Sequence, residues 1–276
     1  MKTFIKYSII LLIFTLVGLV GGFFVGMYQL ESYPADIRQQ LTAELHAIQL
    51  DGINLSEIPT ETLLGIITAL QSAGYGLFLG GFGILISKRI GLWKGEKRIT
   101  TKPMVLTVLV AVFGGLVLIL SDILYFGKHS QAIMDTYAAK PTLSYLLATI
   151  TYGAVIEEVM CRLFVMSLIA LILHKLCNKK TRKAKGCRQQ KRKDTPTTAV
   201  LVAANVLSAL LFSIGHLPAN QMLFGLTPMI IARCFLLNGG LGLLFGWLYR
   251  KYGIRYAMLA HGGCHVVSKL VWVLFL

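Results

Sequence analysis

The feature that most constrains this chain is a succession of apolar runs on the length scale of a bilayer crossing, which takes about 20 predominantly apolar residues. They cover 7–28, 63–87, 104–126, 143–173, 199–214, 226–249 and 256–276. The fourth exceeds one untilted crossing, so it either tilts or protrudes at one end. The expected fold is an all-α, polytopic transmembrane bundle of seven spans, or eight if the fourth run breaks. Only 14% of the residues are charged, against about 25% in soluble domains. A net charge of +15 could point to nucleic acid, but such binders spread basic residues over a polar surface. Here the basic residues are clumped between apolar runs. No linker separates soluble modules, and no internal repeat argues for a transporter's inverted symmetry.

The clumps fix an orientation. Lys and Arg of short loops favour the cytoplasmic side. Lys2 and Lys6 precede the first run, six basic residues lie between Lys88 and Lys102, ten between Lys175 and Lys193, and Arg250, Lys251 and Arg255 follow the sixth run. Alternate crossings put all four groups on one side and leave Arg38, Lys128 and Lys140 on the other. The expectation is an N-terminus in the cytoplasm, a C-terminus outside and an integral protein of a bacterial plasma membrane. The first run is longer than the ~7–15 apolar residues of a signal peptide and has no A-x-A-like cleavage site, so it reads as an anchor. The loop 31–61 carries Glu31, Asp36, Glu44, Asp51, Glu57 and Glu61. Within it, 37–50 is either a short helix lying on the membrane or a solvated connector. The basic run 179–193 suits anionic lipid headgroups better than nucleic acid. Cys161, Cys177, Cys187, Cys234 and Cys264 have no C-x-x-C spacing and imply neither a disulfide framework nor a zinc ribbon. Gly76 and Gly80 are spaced for close helix packing, within the chain or between protomers.

Ionisable groups within spans are costly, about 2.5–3.5 kcal/mol each at the bilayer centre on insertion scales, and default to function. Asp122 and Lys269 are expected near span ends, relieved by headgroups or snorkelling. The remainder form three clusters. In the first, Glu158 and Arg162 are four apart and can pair on a helix. Glu157 lies about 100° round the helix from Glu158, so the same arginine cannot serve both well. In the second, His216 precedes Pro218 and Asn220, where the fifth span is expected to end. In the third, His261 and His265 share a helix face, a spacing that lets two imidazoles hold a metal or a substrate oxygen. Gly262 and Gly263 between them would admit a neighbouring backbone or a substrate. Two carboxylates and three histidines in an apolar bundle suit activation of water.

Together, E-E-x-x-x-R at Glu157, Glu158 and Arg162, F-x-x-x-H at Phe212 and His216, and H-x-x-x-polar at His261 and His265 resemble the CPBP family. That family comprises CAAX-type prenyl endopeptidases and the bacteriocin-processing or immunity membrane proteins also called Abi. The resemblance covers 142–276 and leaves 1–141 as an N-terminal membrane region of three spans. It implies an intramembrane endopeptidase, described in the family as a metalloprotease, acting on a peptide or membrane-protein substrate. Glu157 would be the general base, with Glu158 and Arg162 as its supporting pair. His216 would bind the water or a divalent metal such as zinc, and His261 would be a metal ligand or oxyanion donor. A glutamate mechanism without metal is the alternative. His265 stands where the family has Asn or Asp, as a third nitrogen ligand or as a hydrogen-bond donor. A catalytically silent scaffold or immunity protein is the competing function, and a small transporter with a proton relay is the third.

Depth poses one difficulty. Glu157 and His216 both lie about 26 Å along their helices from the basic loop that joins them, whereas His261 is about 9 Å from Arg255. The three meet only if the fourth and fifth helices extend past the bilayer or the seventh starts deeper.

Overall fold

The computed structural model describes residues 2–48, 54–95, 98–185 and 195–276. Asp51, Lys97, Cys187 and the stretch 186–194 of the basic run lie outside the described residues. Among the described residues all regular structure is helical. The order is α1 (Lys2–Ser32), α2 (Ala35–His46), α3 (Thr60–Arg89), α4 (Thr101–His129), α5 (Gln131–Tyr137), α6 (143–185), α7 (Thr198–Phe224), α8 (Pro228–Tyr252) and α9 (Ile254–Phe275). Six of these, α1, α3, α4, α7, α8 and α9, are long and apolar enough to cross a membrane.

The remaining expected span is α6, and it is the centre of the bundle. Ile156, Val159, Leu163, Met166 and Ala170 recur every three or four residues and are fully buried, the seam of a helix surrounded by others. Helices α1, α3, α7, α8 and α9 all pack on it. This explains how α6 tolerates Glu157, Glu158 and Arg162 in an apolar run: its neighbours are protein rather than lipid. The outer helices instead turn large apolar side chains outward, among them Leu12, Ile13 and Leu16 of α1 and Leu109 and Phe113 of α4. From Thr149 to Met166 nearly all of α6 is wound in widened, π-type turns, which occur preferentially at functional segments.

Close approach of α1 and α3 rests on small residues. A Cβ on Gly18 would stand 2.5 Å from the Ser72 carbonyl oxygen, and one on Gly22 would collide with the Thr68 carbonyl. The Thr68 hydroxyl donates across the interface to the Gly22 carbonyl at 2.6 Å. Gly76 approaches the Phe14 carbonyl and Gly80 the Phe14 ring, so their spacing serves packing within the chain.

The fifth span is longer than its sequence suggested. Helix α7 does not end near Ile214 but continues through Pro218 to Phe224. Proline removes one backbone donor and disfavours the helix interior, yet side chains hold the turn, one from within α7 and one from α8. Asn220 Nδ2 donates to the His216 carbonyl at 2.7 Å, and Cys234 Sγ of α8 donates to the Ser213 carbonyl at 3.2 Å. Gly225, at φ +72°, ends the helix. Helices α8 and α9 join through Gly253 at φ +111°, where Lys94 Nζ donates to the Arg250 and Lys251 carbonyls at 2.6 and 2.7 Å. That contact caps the carbonyl end of α8. The three site residues do meet, and α6 does extend past Leu173, continuing to Lys185.

Candidate active site

Three helices bring the motifs to one point. From α6, Glu158 turns inward and is fully buried. Its Oε1 accepts from Arg162 Nη1 at 2.8 Å and from His261 Nδ1 of α9 at 2.9 Å. The Arg162 guanidinium lies 4.4 Å from the centroid of the Phe212 ring, a cation–π contact that helps to accommodate a buried charge. Breaking such a buried pair by removing one partner leaves an uncompensated charge. Glu158 and Arg162 therefore hold α6 and α9 in register.

Glu157 faces the other way. Its Oε1 is 3.8 Å from His216 Nε2 and its Oε2 is 3.9 Å from His261 Nε2. These separations are too long for direct hydrogen bonds and are of the kind a shared water bridges. The ring orientations are fixed from behind. His216 Nδ1 lies 2.8 Å from the Phe212 carbonyl, an oxygen that can only accept, so Nδ1 carries the proton and Nε2 is turned to Glu157. His261 Nδ1 is likewise committed to Glu158, and its ring stacks on Phe245 at 4.6 Å. Two Nε2 atoms and one carboxylate thus converge on a cavity of about 480 Å³, a size typical of ligand pockets.

Five of the six expected site residues form this constellation. The sixth, His265, lines the same cavity, with its ring centroid 5.0 Å from that of His261. Its Nδ1 is buried with no partner among the described residues, and its Nε2 lies 3.2 Å from where a Cβ on Gly153 would stand. The Nδ1 positions of His216 and His261, each held by an acceptor, match the support that metal-binding histidines receive. Nevertheless, among the described residues no three His, Cys, Asp or Glu side chains gather closely enough to hold a metal ion. The expected set of His216, His261 and His265 does not fit a metal as placed. Gly262 and Gly263 admit neighbouring helices rather than a ligand, since a Cβ on either would press on Ala154 of α6 or Ala111 of α4.

A second polar group on the cavity wall was not expected from the sequence. Asp122 accepts twice from Arg233, from Nε to Oδ1 and from Nη2 to Oδ2, both at 2.6 Å. The Tyr137 hydroxyl adds a third bond at 2.8 Å. Asp122 is thus buried and neutralised by a bidentate partner rather than relieved by headgroups. Lys269 Nζ stands 4.5 Å from the centroid of the Tyr145 ring. The available signal was that Asp122 and Arg233 are lone opposite charges in different spans, each needing a partner.

The arrangement is an all-helical bundle of membrane-length helices in which a carboxylate and two imidazoles converge on an internal cavity. Residues 139–267, a little under half of the chain, match the family described as type II CAAX prenyl endopeptidase Rce1-like, to which this stretch is similar. The match includes all six site residues and stops short of the end of α9. Neither the curated proteins nor the solved structures contain a significant match to the chain.

Proposed function

We propose that the chain is an intramembrane endopeptidase that hydrolyses a peptide bond with a water activated by Glu157. The observation that carries this reading is the division of labour between adjacent glutamates. Glu158 is fully buried with its Oε1 shared by Arg162 and His261, whereas Glu157 keeps both oxygens toward the two Nε2 atoms and the cavity.

The groups suit successive steps. A water between Glu157 and His216 can donate one hydrogen to the carboxylate and the other to the unprotonated Nε2, which aims a lone pair at a substrate carbonyl carbon. As the water oxygen bonds to that carbon, Glu157 takes the proton. His261, whose Nδ1–H is held by the Glu158 carboxylate, carries a proton on Nε2 when charged and can donate it to the developing oxyanion. Collapse breaks the C–N bond as the oxyanion proton returns to His261 Nε2, and Glu157 passes its proton to the leaving amine. No step requires a metal.

The test uses purified full-length protein in proteoliposomes with a mixture of lipid-anchored peptides, cleavage being read by mass spectrometry. Glu157→Gln keeps the size and hydrogen-bonding capacity of the side chain but removes the base. Loss of the cleaved species, by the roughly 10²–10⁴-fold that general-base catalysis contributes, supports the reading. Undiminished cleavage by Glu157→Gln, or no cleavage by the parent, leaves the scaffold or immunity reading in its place.

A further inference from the structure

We infer that substrate reaches Glu157 from the face opposite the basic loops, so that the protein acts on polypeptide presented outside the cytoplasm. This inference rests on the endopeptidase reading for the identity of the guest but not for the route. The cavity that holds Glu157 continues to Gln29, Thr136, Tyr137, Tyr145, Phe224 and Trp272. These residues lie near the end of α1, on α5, at the start of α6 and near the ends of α7 and α9. All are helix termini remote from the basic clusters.

Toward the basic side the same site is closed. Arg162, Phe245, Leu248, Tyr249 and Met166 lie between the glutamates and that end, and all are essentially without exposure. A hydrogen bond of 2.7 Å between the Tyr249 and Ser167 hydroxyls ties α8 to α6 there. Lys94 then closes the turn after α8 through its bonds to the Arg250 and Lys251 carbonyls. A chain arriving from the basic side would have to unpack the most buried layer of the molecule, which is packed at near-crystalline density. At the opposite face the lining of the cavity reaches exposed side chain, that of Thr136. The cavity walls combine aromatic rings with polar groups, namely Asn220 and the Arg233–Asp122 pair, which suits an extended peptide with both apolar side chains and free amide groups. Because Lys- and Arg-rich loops stay in the cytoplasm, the open face is the external one. The substrate class is therefore an exported or membrane-anchored polypeptide with an extended segment at the outer face, not a cytosolic tail.

Thiol accessibility in intact cells expressing the full chain tests the route without requiring a substrate. Cys177 and Cys187 are replaced by serine, and single cysteines are introduced as Thr136→Cys at the mouth, Thr149→Cys inside the cavity and Thr101→Cys at the basic end. The probe is a small, positively charged, membrane-impermeant methanethiosulfonate. Thr136→Cys and Thr149→Cys should be modified from outside, whereas Thr101→Cys should react only after permeabilisation. Modification of Thr101→Cys from outside would overturn the orientation. Failure of Thr149→Cys to react from outside, whether it reacts from the inner side or not at all, would overturn the route. If Glu157→Gln leaves cleavage intact while Thr149→Cys is modified from outside, the endopeptidase reading fails and the external opening stands.

Discussion

At the residue scale, two adjacent glutamates separate stability from chemistry. Glu158 is buried and shared between a guanidinium and an imidazole. Glu158→Gln should therefore destabilise the protein by about 3–5 kcal/mol, as expected when one member of a buried pair is removed. Glu157→Gln removes a partly exposed carboxylate that stands 3.8 and 3.9 Å from its two histidines and should leave thermal unfolding in detergent unchanged while cleavage is lost. Equal destabilisation by both variants would contradict this division. His265 gives a second test. An Asn there keeps a hydrogen-bond donor in the cavity but is a poor nitrogen ligand, so His265→Asn should cleave near the parental rate and be indifferent to a chelator. Stoichiometric zinc in the parent that falls with the substitution would reinstate the three-histidine metal site. The acid pair, its arginine and two histidines were legible in the sequence because ionisable groups in apolar runs are rare and their spacing is helical. The Asp122–Arg233 pair was not, because its partners are 111 positions apart in sequence and nothing local joins them.

At the element scale, the spans were legible because bilayer length is written directly into apolar runs, and five of the six candidate spans agree with the run read for them to within a few residues at each end. The exception is α7, where Pro218 looks like a terminus until the local bond of Asn220 and the bond from Cys234 of α8 are known. Local rules cannot anticipate the bond supplied by another helix. The α1–α3 interface yields a prediction of the same kind. Gly22→Leu must displace the Thr68 carbonyl or the Ser72 side chain, and should lower stability by about 1–3 kcal/mol, the usual range for overpacking. Gly74→Ala, where a Cβ meets nothing within 4 Å, should be neutral in the same thermal unfolding measurement. An unaffected Gly22→Leu protein would show that the two helices do not depend on this contact.

At the scale of the whole molecule, the question is whether α6 crosses the bundle although its charges set it apart from the six apolar helices. Its neighbours decide this. Helix α4 begins beside Tyr256, whose hydroxyl accepts from the Thr100 amide at 3.1 Å, and ends near α5 and Tyr137. The start of α6 is tied to the end of α1, because Thr142 and Ser144 both donate to Glu31 at 2.8 and 2.6 Å. The segment before α7 returns to the basic end, where Thr195 lies against Gly91. Helix α6 must therefore run the full height of the bundle, supported by protein on the faces where lipid would not tolerate Glu157 and Arg162. Seven crossings put the two termini on opposite sides, whereas six would put them on the same side. With the basic loops inside, alkaline phosphatase fused after Leu276 should be active, and a fluorescent protein fused there should be dark when exported through the general secretory route. The reverse pattern is expected for fusions ending at Lys185. A phosphatase that stays inactive after Leu276 but becomes active at Lys185 would invert the orientation. Equal cytoplasmic signals at both sites would mean that the bundle crosses the membrane an even number of times and that one helix of the described set lies within it without spanning.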